Sequence, residues 1–204
     1  MSFFKSLLGP GKKEIWSELC SEMGFEFVNG GFWKTDRIIA KLKNWEIVLD
    51  TFTVSNKNNT THYTRIRAPF VNPSGLRFKI YRKGLFSSIG KLLGMQDIKT
   101  GIPGFDDDFI IKGNDSEMIK VLFSGEMMVK LLNRHRQISI EIKNNEGFFG
   151  SKYGKGVDLL YFQQVGIIKD KEILKSLLDL FAETLNQMVA IGTATDENPQ
   201  VKLK

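Results

Sequence analysis

Cysteine and histidine are scarce in this chain of 204 residues: Cys20 stands alone, and His62 and His135 are the two histidines. A single cysteine excludes an intrachain disulfide, and without HExxH or CxxC spacing no pattern exists for a structural zinc site. No apolar run approaches the roughly 20 residues that a membrane-spanning helix needs. No GxSxG is present, and Ser124 in FSGEM lacks the preceding glycine of a hydrolase nucleophile elbow. The start, MSFFKSLLGPGKK, has too short an apolar stretch and no cleavage-like site for a secretory leader. These absences place the chain in the reducing cytoplasm, with a peripheral position on a membrane as the variant. Asn58, Asn59 and Asn114, although in sequon context, therefore read as turn residues. Cys20 falls in the helical apolar pattern of Ile15, Trp16, Leu19 and Met23, which predicts a buried, inert thiol.

What is present is ordinary for a folded protein: 42% hydrophobic and 25% charged residues in 23.2 kDa. The length fits one domain with appendages. Residues 1–11 form a short amphipathic segment, 12–192 the domain, and 193–204 a polar tail expected to fray. The net charge is +6, unevenly spread. From Arg37 to Lys91 eleven bases oppose only Glu46 and Asp50, giving +9; from Gln96 to Glu126 three bases face seven acids, giving −4. Mutual neutralisation within the fold is the plain reading of that asymmetry.

Periodicity predicts helices over 12–23, ended by Gly24, and over 169–189, with Ile173, Leu177, Phe181, Leu185 and Met188 as the apolar stripe. A helix after Asp115 buries Met118, Ile119, Leu122 and Phe123, is interrupted at Ser124-Gly125, and continues with Met128, Leu131 and Leu132. Residues 85–95 read as one further short helix. Strands are predicted at 25–28, within 32–43, at 46–54 and 61–70 as a hairpin across SNKNNT, then at 77–83, 109–112, 137–143 and 158–165, the last two as antiparallel partners. Pro69 and Pro73 place the end of the 61–70 strand, or an edge, near that point. Strands in runs, without βαβ alternation, define an α+β fold: a mainly antiparallel sheet of about six to eight strands, with a C-terminal helix and two or three further helices packed on it.

No motif requires a cofactor or a metal. GSKYGKG resembles a phosphate loop, but three residues separate Gly150 from Gly154 and Lys155 precedes Gly156, which fails the P-loop spacing. Phe148, Phe149 and Tyr153 in that loop either fold back on the core or contact a partner. Asp106, Asp107 and Asp108 lack the alternation and closing glutamate of a calcium loop and read as a turn. His62 and His135 have no sequence-level partner and read as solvated surface residues.

The strongest surface pattern is basic. Tyr63, Arg65 and Arg67 share one strand parity; Arg77, Lys79, Tyr81 and Lys83 share another, with Phe78 and Ile80 opposite. If these strands are neighbours, cations interleaved with tyrosines cover one face, a chemistry suited to phosphates. Without a recognition motif, the solvated face of an antiparallel sheet remains the plainer account. Two amphipathic stripes, one with Phe3, Phe4, Leu7 and Leu8 and one with Leu85, Phe86, Ile89, Leu92 and Leu93, dock on the core, on another subunit, or on an anionic membrane.

The stretch from Gly101 has Phe105-Asp106, then Phe109, Ile111 and Asp115, then a helical run from Leu122 to Leu132. With the strand, glycine-rich loop, strand and long helix that follow, it resembles a family of uncharacterised bacterial domains sharing an FD..F.I...D signature, over about residues 99–188. The resemblance implies no catalytic residues and points away from a well-known enzyme. Independently of it, Phe109 and Ile111 share a strand face directed at the core, and Asp115 is placed to cap a helix.

The sequence thus favours a non-catalytic binding or accessory module over an enzyme. Its expected contact is an anionic partner, nucleic acid or lipid surface, met through Arg65, Arg67, Arg77, Lys79, Lys83, Tyr63 and Tyr81. Two alternatives stay open. One is protein–protein assembly, including a homodimer, through Phe3, Phe4, Phe86, Phe148 and Phe149. The other is an unrecognised hydrolase or transferase using Asp106–Asp108 with His62 or tyrosines.

Overall fold

The computed structural model describes residues 11–31, 34–84, 95–144 and 153–203. Among them five helices and nine strands appear. The helices are α1 (Lys12–Met23), α2 (Phe105–Asp108), α3 (Ser116–Ser124), α4 (Glu126–Asn133) and α5 (Lys171–Ala190). The strands are β1 (Glu26–Val28), β2 (Arg37–Leu42), β3 (Trp45–Asn56), β4 (Asn59–Val71), β5 (Phe78–Arg82), β6 (Gln96–Ile98), β7 (Phe109–Gly113), β8 (Ser139–Lys143) and β9 (Val157–Val165). They form one antiparallel sheet in the order β1-β2-β3-β4-β9-β8-β5-β7-β6. The α+β expectation holds, with one strand more than the upper end of the range. The extra strand is β6, three residues long with only Ile98 buried, too short to show alternation.

Local chemistry explains the elements. In α1, Ile15, Trp16, Leu19 and Cys20 are buried on one face, and Gly24 at φ 68° ends the helix with its N–H bonded to the Cys20 carbonyl. Asp115 accepts from the Met118 N–H at 3.0 Å and caps α3; Asp170 accepts from the Glu172 and Ile173 N–H groups and caps α5. The β3–β4 hairpin is tighter than SNKNNT implied, because Lys57-Asn58 alone make the turn while Asn56 Oδ1 accepts from the Asn58 and Asn59 N–H groups. Gly113 in β7 is required by crowding: a Cβ there would lie 2.8 Å from the Arg77 carbonyl oxygen.

The sheet has unequal faces. Ile38, Ile47, Leu49, Ile66, Phe70, Phe78, Ile80, Ile111, Ile140 and Phe162 join the buried residues of all five helices in one core. Side chains of the other parity form only a small cluster of Ile39, Val48, Leu159, Tyr161 and Leu203. The described helices therefore cover one face and leave the other without helices. Three apolar assignments differ from the periodicity: Met23, Met118 and Ile173 are exposed.

β4 is central rather than an edge, yet Pro69 fits. The register with β3 ends at Val48↔Arg67, so at Pro69 the β3 side of β4 has become a local edge, while the other side still pairs with Leu159 of β9. The C-terminal segment uses that edge. The Thr195 N–H bonds the Val71 carbonyl at 3.1 Å, and the Asn44 side chain donates to the Asp196 carbonyl at 2.7 Å. Leu203 is buried in the small cluster, and Arg37 donates to its carbonyl at 3.2 Å. The polar tail, expected to fray, is instead docked through Leu203. A chain ending at Gln200 is expected to lose about 1.5–3 kcal/mol, the value of burying one large aliphatic side chain, read as a lower urea midpoint with unchanged slope.

Candidate functional site

On the helix-free face Arg37, Lys41, Arg65, Arg67, Lys79, Lys112 and Lys143 share parity and outnumber Glu46, Asp50, Asp97 and Glu141. The cross-strand register runs Val48, Arg67, Tyr161, Glu141, Lys79, Lys112, Asp97, from β3 to β6. Within this row Glu141 neutralises Lys79 and Asp97 neutralises Lys112, while Lys79 and Lys112 stand side by side.

The predicted anion-binding residues lie as follows. Tyr63, Arg65 and Arg67 stand on β4, and Lys79 and Tyr81 on β5, all on this one face. The strands are not neighbours: β9 and β8 intervene, so three strand spacings, about 14 Å, separate them. Arg65 is bidentate on Asp50, Nε to Oδ1 at 2.7 Å and Nη2 to Oδ2 at 2.8 Å. Arg67, 1% exposed, donates from Nη2 to the same Oδ2 at 2.5 Å. Arg77 pairs with Asp158 at 2.5 Å, and Lys79 with Glu141 at 3.5 Å. Lys83 donates to the Asp106 carbonyl at 3.1 Å. Tyr81 is buried, and burial pushes its hydroxyl above the ordinary range. Tyr63 stacks on Phe52 with centroids 4.9 Å apart, and the Arg65 guanidinium lies 5.0 Å above the same Phe52 ring. Phe3, Phe4, Phe86, Phe148 and Phe149, the residues of the assembly reading, lie outside the described residues.

Sequence reasoning missed the organising residue of this face. Asp50 entered only as one of two acids in a basic segment, although its parity on β3 and its place opposite Arg65 make it the shared counter-charge of two arginines. It also missed Tyr161, whose hydroxyl burial pushes to about 12, with Arg65 opposing and Glu141 reinforcing; the protonated hydroxyl donates to Gln163 at 2.7 Å. Lys143 sits 3.5 Å from the centre of the Tyr161 ring. Lys112 pairs with Asp97 at 2.8 Å. Strand pairing alone brings these residues together.

The acidic turn serves the fold. Asp106–Asp108 form the short α2. Although desolvation opposes it, the Asp106 carboxyl lies below the usual range because the Thr100 N–H, the Gly101 N–H and the Thr100 hydroxyl all donate to it, at 2.9, 2.9 and 3.0 Å. Asp108 pairs with Arg82 at 2.7 Å. Phe105 stacks on Phe109 at 4.7 Å, and Phe109 and Ile111 enter the core. Each signature position thus has a packing or capping role. His62, hydrogen-bonded to Thr53 at 2.9 Å, is on β4, with three strands between it and β7, which follows this turn. The structure does not bring Asp106–Asp108 and His62 together. Among the described residues no group of three His, Cys, Asp or Glu could hold a metal ion.

His135 departs from the expectation of a solvated residue. It is buried between α4 and α5, with Nε2 3.1 Å from the Ser176 hydroxyl. Burial lowers its pKa below 6.5, the Ser176 bond opposes this, and nearby Arg134 adds to the lowering. Cys20 is buried as expected, its thiol raised to about 11 by desolvation. No described helix is long and apolar enough to cross a membrane.

No family model matches the chain, and no curated protein matches it. Among solved structures, the chain is similar to the crystal structure of the mycobacterial trehalose monomycolate transport factor A, TtfA. The TM-score is 0.54 at 8% identity, covering 90% of this chain and 97% of that one. At that identity the likeness is one of fold.

Two outcomes are expected. Asp50→Asn leaves the buried Arg67 without its counter-charge and should cost about 3–5 kcal/mol in urea unfolding. A histidine with a depressed native pKa stabilises the fold above its unfolded pKa, and that stabilisation is lost as pH falls through the native pKa. Between about pH 7 and about pH 5, the melting temperature should therefore fall more steeply in the natural chain than in His135→Gln.

Proposed function

We propose that this chain is a non-catalytic binding or accessory module whose helix-free sheet face meets an anionic lipid surface. The observation that carries the reading is the surplus of bases on a face that no described helix covers. Arg65 and Arg67 contribute to it structurally, through Asp50. The contact is supplied by the exposed Lys41 and by the partly exposed Lys112 and Lys143, which also hold Asp97 and Glu141. Lipid is preferred to nucleic acid because base recognition on such a sheet relies on open aromatic rings. Tyr81 and Tyr161 are buried, and Tyr63 is already stacked on Phe52. The neighbour in fold is named a transport factor, which is in keeping with an accessory role and adds no ligand.

The test is co-sedimentation of the full chain with vesicles of anionic and of zwitterionic phospholipid, at low and near-physiological salt. Binding to the anionic vesicles is expected to fall as salt rises. The Lys41→Glu, Lys112→Glu and Lys143→Glu triple variant should weaken it at least about tenfold, at about 1 kcal/mol per base near the surface. Equal binding to both vesicle types, or none to either, sinks the proposal. Salt-dependent binding to single-stranded DNA instead would move the partner to nucleic acid.

A further inference from the structure

At the Val165 end of β9 the sheet opens into a groove of about 500 Å³, with a second hollow of about 260 Å³ sharing Gln137, Gln164 and Val165. Its floor is apolar and exposed: Val165 is 62%, Ile167 38% and Ile173 41% accessible. Three cations, Arg134, Arg136 and Lys169, line the same groove. None of the three is held by a side-chain hydrogen bond or ion pair among the described residues; Asp179 acts on Arg134 only at longer range. The one lining carboxylate, Asp170, is occupied capping α5.

The backbone adds a third feature. β8 and β9 stay in register only as far as Ile140↔Phe162, whereas β9 runs on to Val165. Beyond that pair the register ends, and Gln137–Ser139 and Gln163–Val165 together line the smaller hollow, so the groove runs along the end of β9.

From these features we propose that the groove docks an extended segment of a partner protein in which acidic and aliphatic residues alternate. Such a segment lies extended along the groove beside the end of β9. Every second side chain then falls on Val165, Ile167 and Ile173, and the carboxylates between them meet Arg134, Arg136 and Lys169. An acyl chain brings one carboxylate to three cations and gains nothing from Gln137 and Gln164 beside them. The site lies apart from Lys41, Lys112 and Lys143 and does not depend on the lipid reading.

The experiment is selection of a phage-displayed nonapeptide library on the full chain, followed by fluorescence polarisation with the recovered peptides. Peptides alternating acidic and aliphatic residues are expected. Their affinity should fall at least about tenfold in Arg134→Glu/Arg136→Glu and also in Ile167→Asp, with melting temperatures confirming that both variants fold. Lys41→Glu should leave peptide binding intact, and Arg134→Glu/Arg136→Glu should leave vesicle binding intact. Recovery of no consensus, of basic peptides, or of peptides indifferent to the arginine reversal overturns the proposal. So does displacement of the peptides by oleate at equal potency, which would make the groove a lipid site.

Discussion

Strand β4 pairs with β9 from Thr64↔Gln164 to Val71↔Val157, and this seam joins two groups of strands. On one side β1, β2, β3 and β4 follow each other as a simple meander; on the other lie β9, β8, β5, β7 and β6. The seam crosses about ninety residues of sequence, so its formation carries a loop-closure cost that the meander's own hairpins avoid. It is bonded over both faces. Toward the helices Ile66, Ala68, Phe70, Leu160 and Phe162 are buried in the core. On the open face Arg67 is held between Val48 and Tyr161 in the register, fully buried. A guanidinium in that position requires a carboxylate, and Asp50 supplies it while gripping Arg65 as well.

This arrangement changes what a basic surface means here. Charges counted along the chain give a strongly positive segment, but antiparallel pairing sets Asp50, Glu141 and Asp97 among those cations. The face becomes a set of ion pairs with a modest positive surplus. Its arginines act first as structural ties. The groove at the end of β9 is different in kind: its cations are not absorbed by the fold, and its floor is aliphatic. One module therefore carries two surfaces with different chemistry.

The FD..F.I...D segment of this chain is accounted for by folding alone. Phe105 and Phe109 stack, Asp106 gathers three donors from the Thr100–Gly101 turn, Ile111 fills the core, and Asp115 caps α3. Together they tie α2, β7 and α3 into one junction. The likeness to TtfA, at 8% identity over 90% of this chain, is likewise one of fold.

Local chemistry made much of the molecule legible. The α1 stripe and its Gly24 stop, the long α5, the β3–β4 hairpin, the alternation of Ile138, Ile140 and Ile142, and the Asp115 cap all follow from spacing of a few residues. The basic face was readable as parity on each strand, with Phe78 and Ile80 correctly opposite it. Strand order was not readable, because pairing across the seam leaves no mark on local periodicity. Tertiary structure alone therefore separated β4 from β5, buried Tyr81 and His135, and placed Asp50 between two arginines. It also drew the C-terminal tail onto the open face, where Leu203 covers apolar surface that the helices leave bare. The sequence by itself determined the elements and which side of each faces the core, since these depend on residues a turn or a strand step apart. Which charges meet, and which are left for a partner, depends on groups distant in sequence, and only the assembled sheet decides it.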